Sequence, residues 1–342
     1  MFSVTEGSTR APAIPSDVVR ALQKARQGVG GVRSTAWASE VRRRDPVEVI
    51  RRGMNRQPIN RAYFKLCEME KLLPSGVARA LFLCEAPGGF YQAAKRLYPN
   101  AERVATSLSA EGAIPFHDIV KADVLKLASD GDIRTLSVIH EIVARLGANS
   151  FDLVTADGGV GHEDLNTVEQ ASLGLLIGQV VAALRLTKEG GSCVIKVFEG
   201  SIQPTRDVVS LMRKVFDNIH LYKPRTSKAA NSERYLVGRG LVDVAQAAIL
   251  ADQLAGVIAT PFLLSLTDDS DPQIASAFDA LAARQTQEIH MLINATSEEH
   301  SRREVATLLE RDLKWVQENV PCLEGVMQRV KALTNITPRH GQ

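Results

Sequence analysis

A chain of 342 residues is long enough for one large domain with a smaller one beside it. Its composition, 45% hydrophobic and 23% charged, is ordinary for a soluble globular protein, and no apolar run approaches the ~20 residues of a membrane span. The formal net charge of +2 hides an asymmetry: residues 1–61 carry twelve Lys or Arg against five acids, while residues 243–320 carry thirteen acids against five bases. A basic front end suggests an anionic partner, and an acidic back end suggests that this partner lies elsewhere.

Met1–Pro15 is small and polar and reads as a poorly ordered lead. Met1–Arg10 lacks the basic start and apolar block of a secretory signal. Ser16 can cap a helix to Gln27 that stops at Gly28-Val29-Gly30-Gly31. Seven arginines follow (Arg42, Arg43, Arg44, Arg51, Arg52, Arg56, Arg61), more than Glu40, Asp45 and Glu48 can pair, which makes the stretch a candidate phosphate contact. Pro58 can open a helix whose apolar stripe is Ala62, Leu66, Met69, Leu72 and Leu73. Lys65 lies beside that stripe, so its head can reach inward.

Leu81–Phe90 is an apolar run ending in a Pro- and Gly-rich turn, with an amphipathic segment from Tyr91 to Leu97 behind it. That order reads as strand, tight turn, helix. The two glycines let a ligand approach the main chain and the helix N-terminus. The turn is neither Gly-x-Gly-x-x-Gly nor a phosphate loop. Strands are expected at Arg103–Leu108, Ala122–Leu125, Phe151–Ala156 and Ser192–Phe198, with helices at Asp132–Leu146, Leu165–Leu186 and Arg206–Phe216. Ile219–Tyr222 and Tyr235–Val237 read as a closing hairpin. The alternation implies an α/β fold with a mostly parallel sheet covered on both faces, and ligands at the carboxyl ends of the strands. From Val242 on the pattern is helical: Asp271-Pro272 starts a helix to about Asn294, and Thr296 with Glu299 makes a capping box for another reaching Val320. Its acidic surface suggests packing or a protein partner.

Cys67, Cys84, Cys193 and Cys322 lack metal-ligand spacing and read as reduced thiols of an intracellular protein, with no metal site. Lys196 sits in the apolar run Cys193–Phe198, near the carboxyl end of a strand expected to be buried. A lysine there must pair, reach water or lose its proton, and one beside another cation can act as a base near neutral pH. Asp157 ends the preceding apolar strand just before two glycines. Glu233 lies in the loop Lys223–Arg234, whose bases and small polar residues suit phosphate and ribose contacts.

Taken together, these segments resemble the FtsJ-like family of S-adenosylmethionine-dependent ribose 2′-O-methyltransferases, and most closely the mRNA cap 2′-O-methyltransferases of eukaryotes and viruses. Asn60-Arg61-Ala62 with Lys65, Cys84 to Phe90, Ala156-Asp157-Gly158-Gly159, Gly190-Gly191 through Lys196, and Lys223-Pro224 through Tyr235 carry the resemblance, in order, over roughly residues 55–241. It implies a Rossmann-like class I methyltransferase fold with a seven-stranded sheet. A basic, partly helical extension (1–54) would precede the methyltransferase domain (55–241), and a helical region (242–342) would follow it.

The resemblance also implies a tetrad of Lys65, Asp157, Lys196 and Glu233. In it Lys196 deprotonates a ribose 2′-hydroxyl, Lys65 holds the Lys196 pKa down, and the two acids orient the lysines. S-adenosylmethionine would lie over Cys84, Glu85, Ala86, Pro87, Gly88, Gly89 and Phe90, with Asp157 nearby and Asp123 accepting from the adenine amino group. Glu85 departs from the small residue usual in that loop. Thr106-Ser107-Leu108-Ser109 departs too, since many methyltransferases place a ribose-binding acid there. Arg61, Lys223, Arg225, Ser227, Lys228, Asn231, Ser232 and Arg234 would contact a capped RNA. The implied reaction is methylation of the first transcribed nucleotide. Methylation of ribosomal or transfer RNA, or a non-catalytic RNA-binding subunit of the same fold, are the alternatives.

Overall fold

A computed structural model describes residues 2–4, 16–32, 34–161, 166–261, 264–266 and 271–335. In chain order the elements are β1 (Phe2–Val4), α1 (Asp17–Gly30), α2 (Ser34–Arg44), α3 (Pro46–Arg52), α4 (Ala62–Glu68), β2 (Arg79–Leu83), α5 (Gly89–Leu97) and β3 (Glu102–Ala105). Then come α6 (Leu136–Leu146), β4 (Phe151–Ala156), α7 (Val168–Leu186), β5 (Thr187–Val197), α8 (Gln203–Met212), β6 (Phe216–Tyr222) and β7 (Arg234–Leu241). The chain closes with α9 (Val244–Ala255), β8 (Leu264–Leu266), α10 (Pro272–Ala295), α11 (Glu299–Asn319) and α12 (Glu324–Asn335).

Six strands form one sheet in the order β3-β2-β4-β5-β7-β6. The first four are parallel, β7 runs antiparallel to β5, and β6 closes the edge as the expected hairpin with β7. The sheet has six strands where seven were expected. Ala122–Leu125 does not form the missing one: Lys121–Asp123 is a 3-10 turn, and one parallel bridge, Ala105 to Val124, is all that pairs. The neighbouring β3 is four residues long and begins on the exposed Glu102, so it offers little for a further strand to extend along.

Expectations change at several element ends: β3 stops at Ala105, α6 begins at Leu136, β5 begins already at Thr187, and α8 spans Gln203–Met212. Phe2–Val4, within the stretch read as unordered, pairs antiparallel with Leu264–Leu266. Helix α7 begins at Val168, and the expected start at Leu165 lies outside the described residues. Thr296 does not cap α11; it follows α10, and its hydroxyl donates to the Ile293 carbonyl at 2.6 Å.

The sheet positions the site because both its faces are filled. On one face β4 and β5 pack under α6, α7 and α9; α7 is apolar nearly all round, and Leu173, Leu176, Ile177, Val180 and Leu184 are all buried. Each such side chain contributes about 1.5–3 kcal/mol by leaving water. On the other face α4 and α5 cover β2, and α3, α11 and α12 extend the same cluster. The terminal regions pack on each other as well: α1 lies along α10 through Leu22, Ala25, Ala282 and Ile289. No described helix is long and apolar enough to cross a membrane.

Candidate active site

The strand register brings the charged residues together. Ala156, the last residue of β4, pairs with Ile195 of β5, so Asp157 emerges beside Lys196. Lys196 faces Tyr235 of β7, and Glu233 stands two residues earlier, just before that strand. In an extended chain, residues two apart share a face, and both Glu233 and Tyr235 meet Lys65 of α4. The Lys65 amine donates to the Glu233 carboxylate at 2.8 Å and to the Tyr235 hydroxyl at 3.3 Å. Lys196 Nζ lies 3.4 Å from Asp157 and 3.5 Å from Glu233. The four residues read as a tetrad therefore form one cluster at the carboxyl end of the parallel strands.

Tyr235 is a fifth member that the sequence reading passed over. Its hydroxyl donates to Asp157 at 2.8 Å and so links Asp157 to Lys65, while its buried ring packs 5.7 Å from Phe90. Burial, with Asp157 and Glu233 close by, pushes the phenol well above its ordinary range and keeps it a donor. The available signal was the two-residue step from Glu233.

Opposing pulls set the charges. Burial drives the Glu233 carboxyl upward, but Lys65 and Lys196 outweigh it and hold the group well below the usual carboxylate range. Burial drives Lys196 downward, but Asp157 and Glu233 outweigh that and leave the amine raised. This reverses the expectation that Lys65 depresses Lys196: in the free protein the carboxylates decide, and Lys196 rests as a cation.

A loop clamp supports the tetrad from behind. Glu68, one turn after Lys65, is buried and accepts from the Arg225 amide, the Thr226 amide and hydroxyl, and the Tyr222 hydroxyl at 2.7–2.9 Å. The loop so fixed carries Ser227, which donates to Glu233 at 2.7 Å. Helix α4 thus positions both the lysine and the loop that aims its carboxylate.

A cavity of about 660 Å³ opens onto Asp157 and Lys196. Its wall includes Cys84, Ala86, Ser107, Leu108, Asp132, Ile133 and Gly158–Gly161. A Cβ at Gly159 would lie 3.3 Å from Lys196 Nζ, so the absent side chain leaves that amine open to the cavity. Of the loop residues expected to hold a cofactor, Cys84 and Ala86 line the cavity with Asp157. Pro87, Gly88, Gly89 and Phe90 are not part of that wall. A Cβ at Gly89 would run into Asn60 and Ala62, and one at Gly88 into Val120, so Gly89 admits the start of α4 and Gly88 admits the Val120 side chain. Glu85 is buried and accepts from the Tyr91 amide at 2.8 Å, closing the turn from inside; burial pushes its carboxyl well up.

Asp123 takes the Tyr91 hydroxyl and is not part of the cavity wall. The acid in the wall besides Asp157 is Asp132, which sequence reasoning missed. Its carboxylate pairs with Arg134 at 2.6 Å, and hydrogen bonding to Arg134 holds its pKa below the ordinary value. Asp130-Gly131-Asp132 was the readable signal, a tight turn ahead of an apolar residue.

The residues expected to meet RNA separate into two groups. Lys228 is exposed and Arg225 and Asn231 are half-buried. Arg61 spans Asp45 and the Thr226 carbonyl, Lys223 is buried and donates to the Asn231 carbonyl at 2.7 Å, and Ser227 and Ser232 are buried. Arg234 is fully buried on the opposite face of β7 from Glu233 and donates to the Glu199 carbonyl. Of the arginine-rich stretch, Arg44 is likewise internal, paired with Asp312 at 3.0 Å.

Residues 58–241, just over half of the chain, match the family described as FtsJ-like methyltransferase. A cap-specific mRNA (nucleoside-2′-O-)-methyltransferase 1 from Leishmania braziliensis is 33% identical over 184 residues, covering 50% of this chain and 46% of that one. A cap-specific mRNA (nucleoside-2′-O-)-methyltransferase from Autographa californica nuclear polyhedrosis virus is 30% identical over 187 residues, 52% of this chain and 70% of that one. A cap-specific mRNA (nucleoside-2′-O-)-methyltransferase 2 from Mus musculus is 30% identical over 219 residues, 55% of this chain and 28% of that one. The chain thus spans about half the length of the Leishmania relative and under a third of the mouse one.

Proposed function

The chain belongs to the FtsJ-like methyltransferase family, and from that premise we propose that it methylates the ribose 2′-hydroxyl of the first transcribed nucleotide of capped RNA. The observation that carries the reading is the sharing of Lys196 and Asp157 between the charged cluster and the cavity. One pocket can take a methyl donor and the other side of the same amine can take a ribose.

The cavity wall suits S-adenosylmethionine. Asp132, kept ionised by Arg134, offers an acceptor for polar groups of the adenosyl moiety, and Leu108 and Ile133 offer apolar surface for its base. Bound there, the cofactor supplies a methyl group made electrophilic by its sulfonium. Lys196 orients the 2′-oxygen and, in its neutral form, takes the proton as the O–C bond forms and the S–C bond breaks. Asp157 and Glu233 keep most of the lysine charged at rest, so the neutral fraction limits the rate. Lys65, tied to Glu233 and Tyr235, is a fixed cation that keeps the shared carboxylate in place. The likeness to cap-specific mRNA methyltransferases supports the cap as the substrate.

Transfer of labelled methyl to matched capped and uncapped transcripts, with the modified nucleotide mapped, tests the reading. Label on the first transcribed ribose of capped RNA alone is expected. Equal labelling of both RNAs sinks the cap assignment, and an active Lys196→Ala protein sinks the mechanism.

A further inference from the structure

Behind Glu233 lies a second recess, of about 240 Å³, between the Lys223–Glu233 loop and helices α10 and α11. Its wall holds five bases and two acids. The acids are already engaged: Asp312 pairs with Arg44 at 3.0 Å and Arg225 at 2.5 Å, and Glu288 lies 3.3 Å from Arg44. Arg225 is braced further by lying 4.8 Å over the Trp315 ring. Two exposed arginines remain. Among the described residues no carboxylate pairs with Arg284, whose guanidinium reaches only the Lys223 carbonyl at 3.4 Å. Arg311 has Asp312 no nearer than 4.0 Å, and that carboxylate is already shared by two other arginines. The recess is thus a preformed, positively charged concavity whose interior pairs are complete and whose surplus charge points outward.

Its position gives the surplus a use. Ser227 lines the recess and donates to Glu233 at 2.7 Å, so one small side chain separates it from the tetrad. Adjacent phosphates of a nucleic acid strand flank each ribose within a few ångströms. We propose that this recess binds a phosphate group of the RNA substrate next to the ribose being methylated, with Arg284 of α10 and Arg311 of α11 as its principal ligands. The proposal rests on the RNA reading above. It gives the C-terminal helices a part in substrate binding, because both arginines lie outside the segment that matches the family. The phosphate can come from the bridge of a cap or from a downstream phosphodiester, and both present the same anionic oxygens to guanidinium groups.

The test uses the full chain with Arg284→Ala, Arg311→Ala and both together; the two side chains are exposed, so the fold is expected to survive. RNA binding is measured by fluorescence anisotropy across a salt series, and KM by methyl transfer. Probes are a capped dinucleotide, a capped 20-mer and an uncapped 5′-hydroxyl 20-mer. The double variant is expected to bind RNA on the order of tenfold more weakly, with a salt slope shallower by about one to two units. The kinetic loss falls on KM, and affinity for S-adenosylmethionine is untouched. Arg284→Lys, tested alone, is expected to recover part of the loss seen for Arg284→Ala. A loss on both capped probes but not the uncapped one assigns the cap bridge; a loss on both 20-mers but not the dinucleotide assigns a downstream phosphate. Unchanged affinity and salt slope in the double variant overturn the proposal. Wild-type protein that binds RNA through these arginines yet transfers no methyl keeps the recess and overturns the reaction instead.

Discussion

Lys65 reaches the Glu233 carboxylate from helix α4 at 2.8 Å and adds the Tyr235 hydroxyl at 3.3 Å, whereas Lys196 reaches the same carboxylate from strand β5 at 3.5 Å and Asp157 at 3.4 Å. The side chain of Lys65 is 8% exposed and that of Lys196 is 15%. A lysine with short contacts and no open side acts as a fixed charge. One with longer contacts, facing a cavity where Gly159 carries no side chain, has room for a substrate oxygen. The difference teaches that two lysines around one acid need not be interchangeable: helix α4 supplies one held by short contacts, and β5 supplies one that opens onto the cavity.

The largest effect is expected from removing the amine that opens onto the cavity. Lys196→Ala is expected to lower the single-turnover methyl transfer rate by about 10³-fold while thermal unfolding moves little. A loss under tenfold would take Lys196 out of the chemistry. Removing Lys65 should act differently. Lys65→Met leaves Glu233 buried with the Ser227 hydroxyl and, as its cation, only the more distant Lys196 amine, which costs roughly 3 kcal/mol of stability; chemical denaturation reads it. Adding Glu233→Gln to that variant should return part of the loss, and a double variant no more stable than Lys65→Met would contradict an anchoring role for Lys65.

A pH series compares the two without mutation. The carboxylates raise Lys196 above its ordinary range, so between pH 6.5 and 9 its neutral fraction grows about tenfold per unit. The methyl transfer rate should climb with a logarithmic slope near one and no plateau, and a plateau below pH 8 would assign the titration to another group. Tyr235→Phe removes the link between Asp157 and Lys65 and should cost about tenfold in rate, or ~1.4 kcal/mol; wild-type rates would show that Asp157 needs no such donor.

The smallest effect uses a third buried lysine. Lys223 has carbonyls for partners, and burial pulls its amine down to about 7. The unfolded chain then holds more protons from pH 7 upward, so this group gains stability for the fold as pH rises toward its ordinary range. The stability difference between wild type and Lys223→Met should grow from pH 7 to 9, by at most ~1.4 kcal/mol per unit. A flat difference would put the amine back among ordinary lysines.

Much of this was legible because strand ends announce themselves. Asp157 follows one apolar run and Lys196 sits near the end of another, and the register of a parallel sheet then sets them side by side. What stayed hidden depended on longer-range contacts or on faces. Arg234 looked like an RNA contact because its loop is basic, but one step along a strand turns a side chain to the other face, and it lies inside against Glu199 and Phe278. Asp123 and Asp132 lie nine positions apart in one irregular stretch, where no periodicity distinguishes the wall of a cavity from its outside. Arg44, Arg284 and Arg311 meet across more than 260 residues, and no local pattern encodes that.

The buried pair of Arg26 and Glu199 reaches furthest. Arg26 of α1 grips Glu199, three residues beyond Lys196, through two bonds of 2.7 and 3.0 Å, and α1 is itself seated on α10. Stripping a guanidinium from a carboxylate so enclosed costs several kcal/mol. The strand end that carries Lys196 is therefore tied to a helix near the start of the chain, which rests in turn on one from its last quarter. A polypeptide lacking α1 would carry the motifs but leave the buried Glu199 without its guanidinium, and so without the setting that organises them.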